Sequence, residues 1–308
     1  MIFNFSTRHI KKHLSQVNRI IDEAVSGVDP SIKPLYDYIM QARGKQIRSV
    51  IMILIGETIA DKSKLYTTCA GIELIHLASL IHDDIVDNAT RRRELDTIHQ
   101  RFGKTNALLM GVHCYSLALR LFSRVDNYTI ARVSEAVTHL CEGEFIQVNH
   151  RSNHALSEAD YWTIVQKKTT PLFAVSCELA TYFCGLPPES HQKMYRIGTL
   201  IGDLFQLIDD ILDFYGKDSS KNTYQDIAMG DMSLPMIWGL DLNPHLEEMH
   251  YTLQTNKHII QHKTRGITKQ KVTSILDLLN DINLPTAHYI HDVVRSILSQ
   301  APEFTTYQ

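Results

Sequence analysis

The stretch GIELIHLASLIHDDIVD, residues 71–87, decides the fold class. Its apolar residues return every three or four positions, as Leu74, Ala78, Ile81 and Ile85 do, which is the period of a helix with one buried face. The same period runs through ALLMGVHCYSLALRLF, residues 107–122, and no proline interrupts the chain between Pro34 and Pro171. Long helices are therefore expected there. Further on, Pro187, Pro188, Pro235, Pro244 and Pro285 recur at helix-length intervals, and alternating β-branched runs closed by Asn-Gly turns are missing. The expected fold class is all-α, with about ten helices and no linker, so that residues 1–308 form a single domain.

Composition narrows the function. A chain of 308 residues at 44% hydrophobic content buries roughly three quarters of its unfolded surface, which suits one large domain or two small ones. The net charge of −3 offers no basic face to a nucleic-acid backbone, and the 16 histidines read as scattered rather than gathered in ligand spacing. No nucleic-acid partner is expected. Cys69, Cys114, Cys141, Cys177 and Cys184 stand singly in apolar contexts and read as core residues of a reduced, intracellular protein. The start of the chain, MIFNFSTRHIKKHLSQ, carries no apolar segment leading to a cleavage site, and no uncharged run reaches the ~18 residues needed to span a bilayer. A cytoplasmic location is expected.

One pattern occurs twice. SLIHDDIVD, residues 79–87, is matched by FQLIDDILD, residues 205–213, both of the form Asp-Asp-x-x-Asp after an apolar run. In a helix, residues four apart share a face, so Asp83 pairs with Asp87 and Asp209 with Asp213. Two carboxylates about 6 Å apart repel by roughly 2–3 kcal/mol at an effective dielectric near 20, a cost that a cation removes. Oxygen ligands without cysteine or histidine in register suit Mg²⁺ rather than zinc, and Mg²⁺ shares its sites with phosphate oxygens. A diphosphate bridged by several Mg²⁺ ions follows. Arg92 and Arg93, shortly after Asp87, are placed to meet phosphate with guanidinium. A single acidic triplet is more often a solvated face; two copies behind buried runs favour the site.

With these residues in view the sequence resembles the trans-isoprenyl diphosphate synthases of the polyprenyl synthetase family, most of all the long-chain, octaprenyl-type members. The resemblance runs from about residue 43 to residue 235. GKQIRS (44–49) resembles the family's GGKRxRP, KKTTPLF (167–173) its KTAxLF and GDMSLP (230–235) its GKxTLP, while the two aspartate-rich segments match its paired motifs. The resemblance implies long antiparallel helices around a central cavity, a homodimer, and about three Mg²⁺ per active site held by Asp83, Asp87 and Asp209 with Asp84, Asp210 and Asp213 in support. It implies head-to-tail prenyl transfer: an allylic diphosphate loses its leaving group and isopentenyl diphosphate adds. Lys45, Arg48, His76 and Arg93 would hold the diphosphate of isopentenyl diphosphate. Arg92, Lys168, Thr169, Gln206 and Lys221 would contact the allylic diphosphate, with Lys168 also counted as catalytic.

Several positions depart from the family pattern: Arg43, Gln46, Glu94, Asp96, Val112 and, above all, Asp231, which stands where a phosphate-binding lysine is usual. Ala78 and Ser79, about one turn before Asp83, are small where large aromatic residues stop elongation in this family, so a product of about C30 to C50 is implied. Close helix packing is the other explanation for two small residues there. Product release would need at most transient membrane contact. The competing functions are a non-catalytic subunit of a heteromeric synthase, a short-chain synthase, and a class I terpene cyclase.

Overall fold

The computed structural model describes residues 8–93, 95–216 and 230–305, so Lys221 and Glu94 lie outside the described residues. The helices are α1 (Arg8–Ser26), α2 (Lys33–Ile39), α3 (Ile47–Ile55), α4 (Ser63–Val86), α5 (Ile98–Phe102), α6 (Lys104–Phe122), α7 (Asn127–Asn149), α8 (Glu158–Lys168), α9 (Thr170–Phe183), α10 (Pro188–Tyr215), α11 (Leu234–Leu242), α12 (Met249–Thr255), α13 (Lys257–Asn280) and α14 (Ala287–Leu298). The fold is all-α. Fourteen α-helices among the described residues exceed the expected ten or so because α2, α5 and α12 have only five to seven residues, too few to show a period. The one strand pair among them is two residues long, Arg91–Arg92 antiparallel to Leu95–Asp96.

Helix starts follow local chemistry. Ser157 and Asp160 form a reciprocal capping box for α8. Pro188 and Pro235 sit in the first turns of α10 and α11, where a missing backbone N–H costs nothing. Pro244 and Pro285 fall between helices, as the sequence punctuation implies.

The chain divides into two compact units, one built from Phe5–Glu135 with Leu179–Leu186 and the other from Ala136–Glu178 with Pro187–Gln308. The boundaries at residues 135–136 and 178–179 fall inside α7 and α9. In the first unit α4 packs on α6 through two glycines. A Cβ on Gly71 would lie 2.5 Å from the Phe122 ring, and one on Gly111 would lie 2.1 Å from His82 Nε2. His82 also reaches the Leu108 carbonyl at 3.1 Å. Gly71, Ile75, Ala78 and His82 thus form the stripe of α4 that meets α6. Ile51, Ile53 and Ile55 of α3 are fully buried, each contributing about 2–3 kcal/mol of apolar burial.

In the second unit α10 touches α8, α11, α13 and α14. Gly198 and Gly202 of α10 lie against the backbone at Phe173–Ala174 and against Thr170 of α9, where a Cβ would come within 3 Å. Lys271 of α13 bonds Asp203 of α10 at 2.6 Å and stacks its ammonium 4.1 Å from the Trp162 ring centre.

Two sequence expectations change. Cys141 is exposed rather than part of the core, because it falls on the outer side of α7; the other cysteines are buried or half-buried. His9 and His13 are not scattered but stand four apart on α1 and meet each other. None of the described helices is long and apolar enough to cross a membrane.

The Asp203–Lys271 pair is almost fully inside, with Asp203 1% exposed. Lys271→Met leaves a buried carboxylate without its cation and is expected to cost about 3 kcal/mol in urea denaturation. Replacing both residues, Asp203→Leu with Lys271→Met, is expected to recover most of that loss.

Candidate functional site

The first aspartate cluster closes a 24-residue helix. Asp83 lies in the last turn of α4 and Asp87 follows it as the C-cap, its N–H donating to the Asp83 carbonyl at 2.8 Å. Helix carbonyl ends carry partial negative charge, so carboxylates there add to the demand for a cation. Asp84 does a different job. It is buried and accepts a 2.7 Å hydrogen bond from Arg92 Nε. Arg92 returns to α4 because the chain turns at Asn88 (φ +46), Thr97 Oγ1 donates to the Ala89 carbonyl at 2.7 Å, and the short strand pair folds Arg91–Arg92 back. Arg92, expected at a substrate phosphate, is thus held on the protein's own carboxylate. Burial raises the Asp84 pKa, and Arg92 opposes the rise.

On the same helix His76 and Glu73 are three apart, and Arg48 and Arg93 act electrostatically on both. Glu73 accepts from Ser49 Oγ at 2.7 Å. It was not legible as a site residue, although an acid three residues before His76 in an apolar run is its signal. Burial lowers the Arg48 guanidinium to about 10, with Glu73 pulling it back up. Arg93 is lowered by burial and then by Arg92. His76 is pushed well below its ordinary value, first by burial and then by Arg48, Arg93 and Arg92, so it stays neutral. Arg48 and Arg93 thus stand beside Glu73, and Asp84 acts on Arg93 as well. Arg93 takes a left-handed backbone (φ +50) and lays its guanidinium on Gly44, where a Cβ would lie 2.5 Å from Nη2. Lys45, beside Gly44, is exposed.

The unusual residues of this loop are tied to α1. Arg43 Nη1 donates to Asn18 Oδ1 at 2.6 Å and its other nitrogen pairs with Asp22, while Gln46 Nε2 reaches the same Asn18 oxygen at 3.0 Å.

In the second unit Asp209 is exposed and Asp213 half-buried near the end of α10. Asp210 turns inward, like Asp84. It accepts from Tyr161 Oη at 2.7 Å, from Gln206 Nε2 at 2.7 Å and from the Leu234 N–H at 3.4 Å. Thr169 Oγ1 donates in turn to Gln206 Oε1 at 2.7 Å. Thr169 and Gln206 are therefore linked to Asp210 in one chain. Burial raises the Asp210 carboxyl despite these bonds. Lys168 Nζ lies 2.6 Å from Glu144 Oε2, and Gly143 lets α7 run flush with the Lys168 backbone, where a Cβ would lie 2.4 Å from its nitrogen. Asp231 accepts from Gln147 Nε2 at 2.7 Å and from Arg151 Nε at 3.2 Å, so its charge is met by an arginine of the protein.

Ala78 and Ser79 are both buried. Ala78 belongs to the stripe that meets α6, where its size serves close packing. Ser79 lies nearer the Asp83 side and donates its hydroxyl to the His76 carbonyl at 2.9 Å.

The outer aspartates offer carboxylate oxygens only, and neither cluster gathers three ligand atoms within 4.8 Å of one another. Pairs of hard oxygens that leave most positions to water and phosphate fit Mg²⁺. The all-α fold thus carries an Asp-Asp-x-x-Asp cluster near the ends of two of its helices, α4 and α10. The polyprenyl synthetase family model matches residues 29–272. The chain is 31% identical over 228 residues to the octaprenyl diphosphate synthase of Escherichia coli K12, covering 73% of this chain and 71% of that one. It is 31% identical over 240 residues to the geranylgeranyl diphosphate synthase of Methanosarcina mazei, covering 74% of each. The decaprenyl diphosphate synthase of Rhodobacter capsulatus superposes with a TM-score of 0.84 at 22% identity over 95% of this chain and 97% of that one, a likeness of fold. The chain belongs to the polyprenyl synthetase family and is a prenyltransferase of the trans-isoprenyl diphosphate synthase type.

His76 makes this cluster acid-sensitive. Its folded pKa lies below the unfolded value, so its contribution to stability is full above about 6.5 and is lost as pH falls toward the folded value. Denaturant titrations at pH 7.5 and 5.5 are expected to show a smaller acid loss in His76→Gln than in the parent chain.

Proposed function

We propose that the protein condenses isopentenyl diphosphate with an allylic diphosphate to give an all-trans polyprenyl diphosphate of long chain length, with Mg²⁺ required. The observation that carries this reading is the repeated helix end: α4 and α10 each close on an Asp-Asp-x-x-Asp cluster whose middle aspartate is bonded inside the protein. Asp83, Asp87 and Asp209 would hold the metal, with Asp213 beside them. When bound, Mg²⁺ supplies positive charge to a departing diphosphate. Arg48, Arg93 and neutral His76, with Lys45 at the rim, bind and orient the diphosphate of isopentenyl diphosphate. Lys168, Thr169 and Gln206 serve the allylic diphosphate, Lys168 by exchanging Glu144 for phosphate. Asp231 and Gln46, the departures that would favour a non-catalytic subunit, are held by Arg151 and Asn18 and leave the anion pocket's guanidiniums in place.

We also propose one domain over residues 1–308, a cytoplasmic location and a homodimer. Unit boundaries inside helices support the first. Exposed Leu108, Val112 and Leu119, each more than half exposed along α6, support the last. Light scattering is expected to give a dimer for the parent chain and a monomer for Val112→Glu with Leu119→Glu; a monomeric parent would remove the proposal.

The test of function is incubation with Mg²⁺, farnesyl or geranylgeranyl diphosphate and labelled isopentenyl diphosphate, followed by sizing of the dephosphorylated products. Long products are expected, with turnover falling about 10²–10³-fold in Asp87→Asn. Ser79→Phe is expected to shorten the products without unfolding the chain, whereas Ala78→Phe overpacks the α4–α6 contact and costs about 1–3 kcal/mol. No incorporation by folded protein would end the synthase reading.

A further inference from the structure

A second kind of ligand set lies far along the sequence from the aspartates, at the start of α1. His9 and His13 share one face of that helix, and Glu57 comes from the turn that follows α3. His9 Nε2 stands 3.1 Å from His13 Nε2 and 2.7 Å from Glu57 Oε1, and the three ligand atoms lie within 4.8 Å of one another. Among the described residues this is the one group of three histidine, cysteine or acidic side chains so gathered. Ligand atoms around a tetrahedral zinc ion with Zn–N of about 2.0–2.1 Å are about 3.3 Å apart, close to the separation of the two ring nitrogens.

The surroundings point the same way. Glu57 Oε2 is buried and accepts no hydrogen bond, which leaves a carboxylate oxygen aimed inward with a charge to satisfy. His13 Nδ1 meets Tyr66 Oη at 2.5 Å. If the ring donates there, its Nε2 carries the lone pair toward His9 and Glu57, as outer partners of metal-bound imidazoles do. The nearest lysine, Lys62, spends its ammonium on the Glu57 and Ile59 carbonyls at 2.8 and 2.5 Å.

We propose that His9, His13 and Glu57 bind one borderline divalent ion of the zinc class through two imidazole nitrogens and a carboxylate oxygen, clamping α1 to the turn after α3. Two nitrogens and one oxygen distinguish this site from the oxygen-only aspartates, so it selects Zn²⁺ or Co²⁺ over Mg²⁺. It does not rest on the prenyl-transfer reading.

The full-length, metal-stripped protein is titrated with Co²⁺ in the presence of excess Mg²⁺, which fills the aspartate sites. One equivalent is expected to bind with the visible absorption of a four- or five-coordinate site, and Zn²⁺ is expected to displace it. Tyr66→Phe is expected to weaken binding about 10-fold or more. His9→Ala with His13→Ala is expected to abolish the absorption, while Asp83→Asn leaves it intact. Should the double variant fail to fold, Glu57→Gln, which keeps the shape and the bond to His9, is expected to weaken binding at least 10-fold. Binding that is unchanged in Glu57→Gln, or a parent protein with no saturable one-to-one site, overturns the proposal.

Discussion

Three carboxylates at one helix end are affordable only when one of them is taken out of competition. At about 6 Å and an effective dielectric near 20, each like-charged pair costs roughly 2–3 kcal/mol. The protein resolves this the same way twice. Asp84 turns inward to Arg92, and Asp210 turns inward to Tyr161 and Gln206, so the middle carboxylate of each cluster is bonded within the protein. Much else is arranged around those two inward turns. The hairpin after α4 exists to bring Arg92 back, and α8 is aligned so that Tyr161 reaches α10.

The cationic pocket beside α4 obeys the converse rule. Arg48 and Arg93 are held near a shared carboxylate, Glu73, which reduces their mutual repulsion without cancelling it. His76 adds no further charge there, since burial and the guanidiniums keep it neutral.

The long helices and the aspartate pairs were legible because both depend on spacing within one helix, which a linear sequence displays. The i, i+4 relation of Asp83 with Asp87 and of Asp209 with Asp213 needs no tertiary knowledge. What the middle aspartates do was not legible: identical Asp-Asp dipeptides conceal an arginine partner in one case and a tyrosine in the other. Glu73 was hidden in an apolar run, and its partner Ser49 lies on a different helix. The short α2, α5 and α12 left no periodic trace. His9 and His13 did show helical spacing, but Glu57 comes from another segment, and only folding joins them.

The contact between Gly44 and Arg93 carries a consequence for how such a chain can diverge. Any side chain at position 44 would occupy the space of the guanidinium, and a lysine at position 93, lacking the planar fork, would leave that surface uncovered. Each residue therefore sets the terms on which the other can be replaced. A change at either position alone would disturb the packing of the other, so the two act as a unit even though the chain keeps them far apart.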